Sequence, residues 1–451
     1  MGKIKNVFST IGLTFVKGDW MTKVSYIIMG FGPLIRGYVL RGVAFLLMEI
    51  FFIVYMVKMG GFYLSKLPTL GTEETHMDPA TFVTVYGDNS FMILLFGILS
   101  IMVIVAFVVV WYGNIKENKA EEERKAAGKP VPTLKEEVNR IIEDKFHVTL
   151  LSLPTLGIFV FMVLPIIFMI CVAFTNYDYN HQPPTHLFSW VGLENFGKLF
   201  SFGGKGFGHT FVSVLIWTLV WAFFATFLNY FLGMGLAILI NRKGVKFKKV
   251  WRTIFVMTIA IPQFVSLLYV SKLFAADGLI NSYLLKWGWI SQALPFWTDP
   301  TWARVTIILI NLWIGIPYLM LITTGILMNI PEDLYESARI DGANGFQMFR
   351  YITLPYMLFV TGPYLLTQFT GNINNFNVIY LLSQGKPKTM DLTGGAGGTD
   401  LLVTWLYSLT VNDSNYSMAA VLGIMVFVVI AIISLVVYNM LPSVKDEGGF
   451  Q

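Results

Sequence analysis

The sequence predicts an all-α polytopic membrane protein with about eight transmembrane helices, and three observations carry that prediction. Of its 451 residues, 55% are hydrophobic and 13% charged, with a mean hydropathy of +0.64; soluble domains carry about 25% charged residues. Apolar runs of bilayer length recur along the chain, and in hydrocarbon only helices and closed barrels satisfy their own backbone. Lys and Arg gather in alternate loops. With both termini and the even-numbered loops inside, 23 of the 32 fall on the cytoplasmic side, as the positive-inside rule requires.

Residues 1–41 carry Lys3, Lys5, Lys17, Lys23, Arg36 and Arg41 and are expected in the cytoplasm. No short apolar core with a small-residue cleavage site is read ahead of the first span. That span, about 42–57, contains Glu49, which must face other helices or water because a lone carboxylate in lipid is expensive. Residues 58–90 read as an external loop and 91–112 as the second span. Residues 113–148 hold eight basic and eight acidic side chains, a solvated cytoplasmic linker with helix expected over 133–145. The stretch 1–148 is thus an N-terminal region ahead of a core at 149–451.

The third span, 149–174, contains Pro154 and Pro165, so kinks are expected. An external loop, 175–208, follows. The fourth span, 210–240, is uncharged throughout; at about 1.5 Å per residue it outruns a core of about 30 Å and must tilt or protrude. Arg242, Lys243, Lys246, Lys248, Lys249 and Arg252 then form the strongest inside marker. The fifth span, 253–271, is broken by Pro262. Residues 272–304 are external, Trp-rich and partly interfacial. The sixth span is 305–330, with Pro317 inside it, and the seventh 356–377. A Gly-rich external loop, 378–416, precedes the eighth span, 417–441.

Between the sixth and seventh spans lies the polar stretch 331–355. Pro331 suits the first position of a helix, and Glu332 and Asp333 place negative charge at its positive end. Gly342 follows Asp341 where a helix ends in a left-handed residue, and Asn344 can cap a second helix. This is a helix–Gly–helix elbow with charges turned outward. Glu336-Ser337-Ala338, then Gly342, then Ile352, Leu354 and Pro355 closely resemble the EAA loop of bacterial ABC importer permeases, with Ser337 replacing the first Ala. The resemblance implies a type I ABC importer permease fold. It also implies that Glu336, Ser337, Ala338, Asp341, Gly342, Leu354 and Pro355 couple the membrane helices to a cytoplasmic ATPase.

The seventh span turns polar at Gln368, Thr370, Asn372, Asn374, Asn375 and Asn377. Amides clustered in a membrane mark either helix–helix hydrogen bonding or a polar cavity. A sugar pathway needs uncharged hydrogen-bonding groups beside aromatic faces, which Asn311, Trp313, Tyr318, Phe369 and Phe376 supply. From about residue 150 the chain resembles the MalF-type subunit of maltose and maltodextrin importers, with matches at Asn374-Asn375-Phe376 and at Thr399-Asp400-Leu401-Leu402-Val403. Matched residue by residue, the family's sugar site falls on Asn311, Ile314, Gly315, Tyr318, Gln368, Gly371, Asn372 and Asn375, and Trp313 joins them as an aromatic wall. Two positions depart from the family: Gln368 stands for Ser and Gly371 for Phe, which bears on sugar length. The 175–208 loop is also far shorter than the external domain of some relatives.

Other signals fail. Gly192 to Lys198 has P-loop spacing, but Leu199 replaces the hydroxyl residue and no strand precedes it, so ATP hydrolysis belongs to another chain. His76, His147, His181, His186 and His209 show no metal-ligand spacing, and Cys171 alone makes no disulfide. Asn412-Asp413-Ser414 and Asn415-Tyr416-Ser417 fit a glycosylation pattern that carries no meaning in a bacterial chain. No catalytic constellation is present. The sequence is therefore read as a permease without cofactor or metal, in a bacterial plasma membrane, with both termini cytoplasmic. The resemblance implies a second, MalG-type permease subunit, two ATP-binding subunits, an external sugar-binding protein and an oligosaccharide substrate; membrane lipid surrounds the chain, and nucleic acid is no partner. Maltodextrins are the first reading of the substrate and another oligosaccharide of galacto- or raffinose type the alternative; a multi-pass glycosyltransferase, a channel or a secondary transporter are the competing classes.

Overall fold

The computed structural model describes residues 2–139, 142–143, 146–201, 206–242 and 244–440, with side chains from residue 7. The end of the helix expected to reach residue 145, the Gly-rich residues 202–205, Lys243, the tail from residue 441 and the side chains of Lys3 and Lys5 lie outside it. The chain forms two compact units, Met1–Gly192 and Leu193–Gln451. Among the described residues six helices are long and apolar enough to cross a membrane: Val39–Lys66, Ser90–Ala126, Phe146–Val172, Phe207–Asn241, Pro300–Leu327 and Tyr416–Met440. Lys248–Ala260 and Gln263–Leu273, bent by 89° at the break between them, are together long and apolar enough for a seventh span. The eighth expected span is the helix Leu354–Ile373. Its 20 residues reach about 30 Å, but Gln368 and Asn372 make it less apolar than the rest.

In the first unit, helices run further than composition suggested. The first span continues to Lys66 through a π turn at Met56–Gly60. The second continues to Ala126, well into the stretch expected to be a solvated linker. That expectation is corrected: Asn114, Asn118 and Glu121 are buried. The cause is Arg36, whose guanidinium lies 2.6 Å from Asp19, 3.3 Å from Glu121 and 3.2 Å from Glu122. Arg41 pairs with Glu117 at 3.0 Å and Glu137 at 3.3 Å. Four carboxylates of that stretch, Glu117, Glu121, Glu122 and Glu137, are thus partners of two arginines far away in sequence, while Lys119 and Glu123 stay exposed as expected. Glu49 faces inward as expected, accepting the Met29 N–H at 2.7 Å. The loop expected to be external is no plain coil. It holds a short hairpin, His76–Met77 against Thr84–Val85, and Asp88, which pairs with Lys66 and accepts from Thr72 N–H. Burial pushes the Asp88 carboxyl up, but Lys66 and the backbone amides of Thr72 and Glu73 outweigh it and hold its pKa below the ordinary value.

The second unit is built around the Phe207–Asn241 and Pro300–Leu327 helices, which pack along each other. Gly233 permits this approach, since a Cβ there would lie 2.8 Å from Leu319 Cβ. One buried cluster gathers Trp217, Trp221, Leu267, Ile307, Ile310 and Ile379. Another joins Tyr230, Met234, Leu319, Met357 and Leu365. The Gly-rich loop is packed rather than open. Trp217 Nε1 donates to Thr399 O, and Arg304 Nε to Gly398 O. Asp400, buried at 3% exposure, accepts from Gly397 N–H; burial raises its pKa.

Candidate functional site: a polar cavity and a helix–Gly–helix elbow

The elbow forms as its residues dictate. Pro331 occupies the capping position, one residue earlier than expected, and the helix runs Glu332–Ile340. Gly342 N–H returns to Arg339 O and Ala343 N–H to Ala338 O, with Gly342 at φ +81°, the paired bonds of a left-handed helix stop. Asn344 and Gln347 then make a reciprocal capping box for Gly345–Met348. A π turn, Phe349–Thr353, joins that short helix to Leu354–Ile373 without interruption. Leu354 packs on the cluster around Tyr230 and Met357, so the base of the elbow is anchored in the core. Glu336, Ser337, Asp341 and Gly342 are exposed, Ala338 half-buried and Pro355 exposed. The outward face is not only charged, however. Ile340, Phe346 and Tyr351 are 86%, 74% and 76% exposed, which the charge pattern did not reveal.

The cavity is about 400 Å³ in volume. Asn311, Ile314, Gly315 and Tyr318 recur at one-face helical spacing along Pro300–Leu327, and all line it together with Trp313. Gln368 and Asn372, one turn apart on Leu354–Ile373, complete a second wall. Trp313 and Tyr318 are half-exposed, 50% and 47%. Asn372 is fixed from three sides: Nδ2 donates to Thr226 Oγ1 at 3.0 Å, its carbonyl accepts from Trp221 Nε1 at 3.1 Å, and Oδ1 accepts from Asn375 Nδ2 at 3.3 Å.

Two expected members are not in the lining. Gly371 faces open space, since an added Cβ would meet nothing within 4 Å. Asn375 lies beyond the helix end at Ile373, where its side chain accepts Val378 N–H and caps Phe376–Leu382. Conversely, sequence reading missed a wall. The right-angle break at Pro262 turns Thr258, Gln263 and Ser266 toward the cavity, and Asn229 of the fourth span joins them. Pro262 beside polar neighbours was a visible signal; a lone Asn within a long apolar run was a weak one. Among the described lining residues none is acidic or basic. Such a surface offers amides, hydroxyls and aromatic faces, suited to a neutral polyhydroxylated solute.

An exposed elbow continuous with a helix that lines a neutral polar cavity, beside several apolar helices of membrane length, is the architecture of a transport permease subunit. Residues 229–446 match the family described as binding-protein-dependent transport system inner membrane component. The chain is 39% identical over 427 residues to the galactooligosaccharides transport system permease protein GanP of Bacillus subtilis (strain 168), covering 94% of this chain and 97% of that one. It is 36% identical over 432 residues to the maltodextrin transport system permease protein MalC of Streptococcus pneumoniae (serotype 4, strain ATCC BAA-334 / TIGR4), covering 93% and 95%. The fold also matches a crystal structure of a bacterial alginate ABC transporter in complex with alginate pentasaccharide-bound periplasmic protein. There the TM-score is 0.54 at 24% identity, covering 67% of this chain and 96% of that one. The chain belongs to the binding-protein-dependent inner membrane transport components and is a multi-pass protein of that membrane.

Proposed function

We propose that this chain is the permease subunit of an ATP-driven, binding-protein-dependent importer of neutral oligosaccharides, with maltodextrins as the substrate class. The observation that carries the reading is the cavity. Amides on two helices face Trp313 and Tyr318 without a charged group, and one of those helices is continuous with the elbow. Sugar hydroxyls pair with Asn311, Gln368 and Asn372 while the rings rest on the aromatic faces. The elbow, 331–355 in the core 149–451, meets the ATPase subunits on the cytoplasmic side, where both termini lie. A second permease subunit of MalG type closes the pathway, and an external binding protein delivers the sugar. What moves the cavity between its two openings is the difference in ATPase affinity for the two states.

Galacto-configured oligosaccharides are the second reading, favoured by the relative at 39% identity. Both are tested by reconstituting the chain with its co-expressed subunits in proteoliposomes. ATP-dependent uptake of maltotriose supports the first reading and of galactosyl-lactose the second. Uptake of neither, or uptake that needs no ATP, sinks the proposal.

A further inference from the structure

We infer that Thr226 is a positioning residue for sugar selection, acting through the side-chain amide of Asn372. The inference rests on the cavity being an oligosaccharide pathway. An amide offers an acceptor at one end and donors at the other, so its orientation decides which hydroxyls it suits. Three bonds in series fix that orientation here. The Val378 backbone N–H can only donate, and it donates to Asn375 Oδ1 at 3.3 Å. Asn375 Nδ2 is therefore the end turned to Asn372, whose Oδ1 accepts from it at 3.3 Å. Asn372 Nδ2 is in turn directed to Thr226 Oγ1, 3.0 Å away.

Thr226 is buried, at 2% exposure, and lies within the π turn Phe224–Leu228 of the fourth span. Trp221 and Thr226 both reach Asn372, the indole Nε1 donating to the Asn372 main-chain carbonyl at 3.1 Å. On a regular α-helix, residues three or four apart share a face and residues five apart do not. The wider i→i+5 pattern of a π turn brings such a pair together. Asn372 is half-buried and lines the cavity, whereas Thr226 lies behind it, outside the lining. Once the relay is made, the Asn372 amide keeps one N–H and one Oδ1 lone pair for a solute. Without the Thr226 hydroxyl only the longer bond from Asn375 holds the amide. It then swings, and the fixed pairing with sugar hydroxyls is lost while the cavity keeps its shape.

A site built to pair a hydroxyl discriminates against the analogue that lacks it. The test uses the reconstituted importer with its binding protein and ATPase subunits, in wild type, Thr226→Val, Thr226→Ser, Asn372→Ala and the double variant Thr226→Val with Asn372→Ala. Val keeps the shape of Thr without the hydroxyl, and Ser keeps the hydroxyl. ATP-dependent uptake is measured, with the binding protein saturated, for the trisaccharide the wild type transports, maltotriose or galactosyl-lactose, and for its monodeoxy analogues. We expect the wild type to move at least one analogue about fivefold more slowly than the parent, the worth of one hydrogen bond. Thr226→Val should move the two at equal rates, and Thr226→Ser should keep the wild-type ratio. Thr226→Val should add no further loss to Asn372→Ala, because the two act as one unit. An unchanged ratio in Thr226→Val, an equal loss in Thr226→Ser, or losses that add in the double variant gives Thr226 a packing role and overturns the proposal. So does a wild type that moves every analogue like the parent, or a Thr226→Val chain that fails to co-purify with the ATPase subunits. A wild type that transports neither trisaccharide removes the functional reading itself, a separate outcome.

Discussion

The Tyr335 hydroxyl lies 2.8 Å from Thr353 Oγ1. Tyr335 sits in the middle of the elbow helix, and Thr353 is the last residue of the π turn leading into Leu354–Ile373. This bond ties the two arms of the elbow across the Gly342 bend. Tyr335→Phe removes it at a cost of about 1 kcal/mol and leaves the buried Thr353 hydroxyl to its own helix. Assembly should survive while sugar moved per ATP hydrolysed falls; an unchanged ratio in proteoliposomes would exclude the strut.

Gly342 is constrained by its backbone alone, because its φ is +81° and an added Cβ meets nothing within 4 Å. Gly342→Asn should therefore be tolerated better than Gly342→Ala, and Gly342→Val worst. The penalty for an L-residue there is about 1–2 kcal/mol. Uptake rates that fail to follow that order would show that side-chain contact with a partner, not bend geometry, governs the position.

Ile340 and Phe346 present apolar surface from an otherwise polar elbow. Buried aromatic anchors carry much of the energy of an interface. Phe346→Ala should weaken retention of the ATPase subunits on purification by more than Glu336→Gln does. Equal retention in both would leave the patch without a role in docking.

Tyr318→Ala gives the cleaner test of the proposed sugar site. Asn372→Ala also breaks the bonds to Thr226 and Asn375, so its effect mixes contact with packing. Tyr318, half-exposed to the cavity, should lower uptake by about tenfold or more through lost stacking and hydrogen bonding, with the complex intact. Normal uptake would move the pathway elsewhere.

Asp88 makes the first unit acid-sensitive. Its folded pKa lies below that of the unfolded chain because Lys66 and two backbone amides favour the carboxylate. The stabilisation is therefore present above the unfolded value of about 4 and is lost as pH falls through the lowered folded value. Proteolysis in the Lys66–Ser90 loop should rise across that acid range, and Asp88→Asn should flatten the response. A variant with the same pH profile as the wild type would assign the sensitivity to another group.

Much of the elbow was legible because its chemistry is local. Pro331, Gly342 and Asn344 each act within four residues of themselves, so composition and spacing suffice. The Pro300–Leu327 wall was legible for a similar reason, its polar and aromatic residues sharing one helical face. What escaped was set by packing between distant segments. Arg36 draws Glu121 out of a stretch that composition alone marks as solvated. Pro262 announces a break but not a right angle, and only the angle carries Gln263 to the cavity. Asn375 kept helical spacing with Gln368, yet the helix stops at Ile373 and turns that amide into a cap.

In the proposed importer, the unbroken backbone from Gly345 through the π turn to Ile373 is the lever between elbow and cavity. Measured from Leu354, its long arm is about 30 Å. Tipping such an arm by ten degrees sweeps its far tip through about 5 Å, roughly the width of one pyranose ring. In that importer such a tilt, driven at Phe346, carries Asn372 through about 5 Å and Gln368 through about 4 Å at ~1.5 Å of rise per residue from Leu354, once the bonds from Asn372 to Thr226 and Trp221 give way.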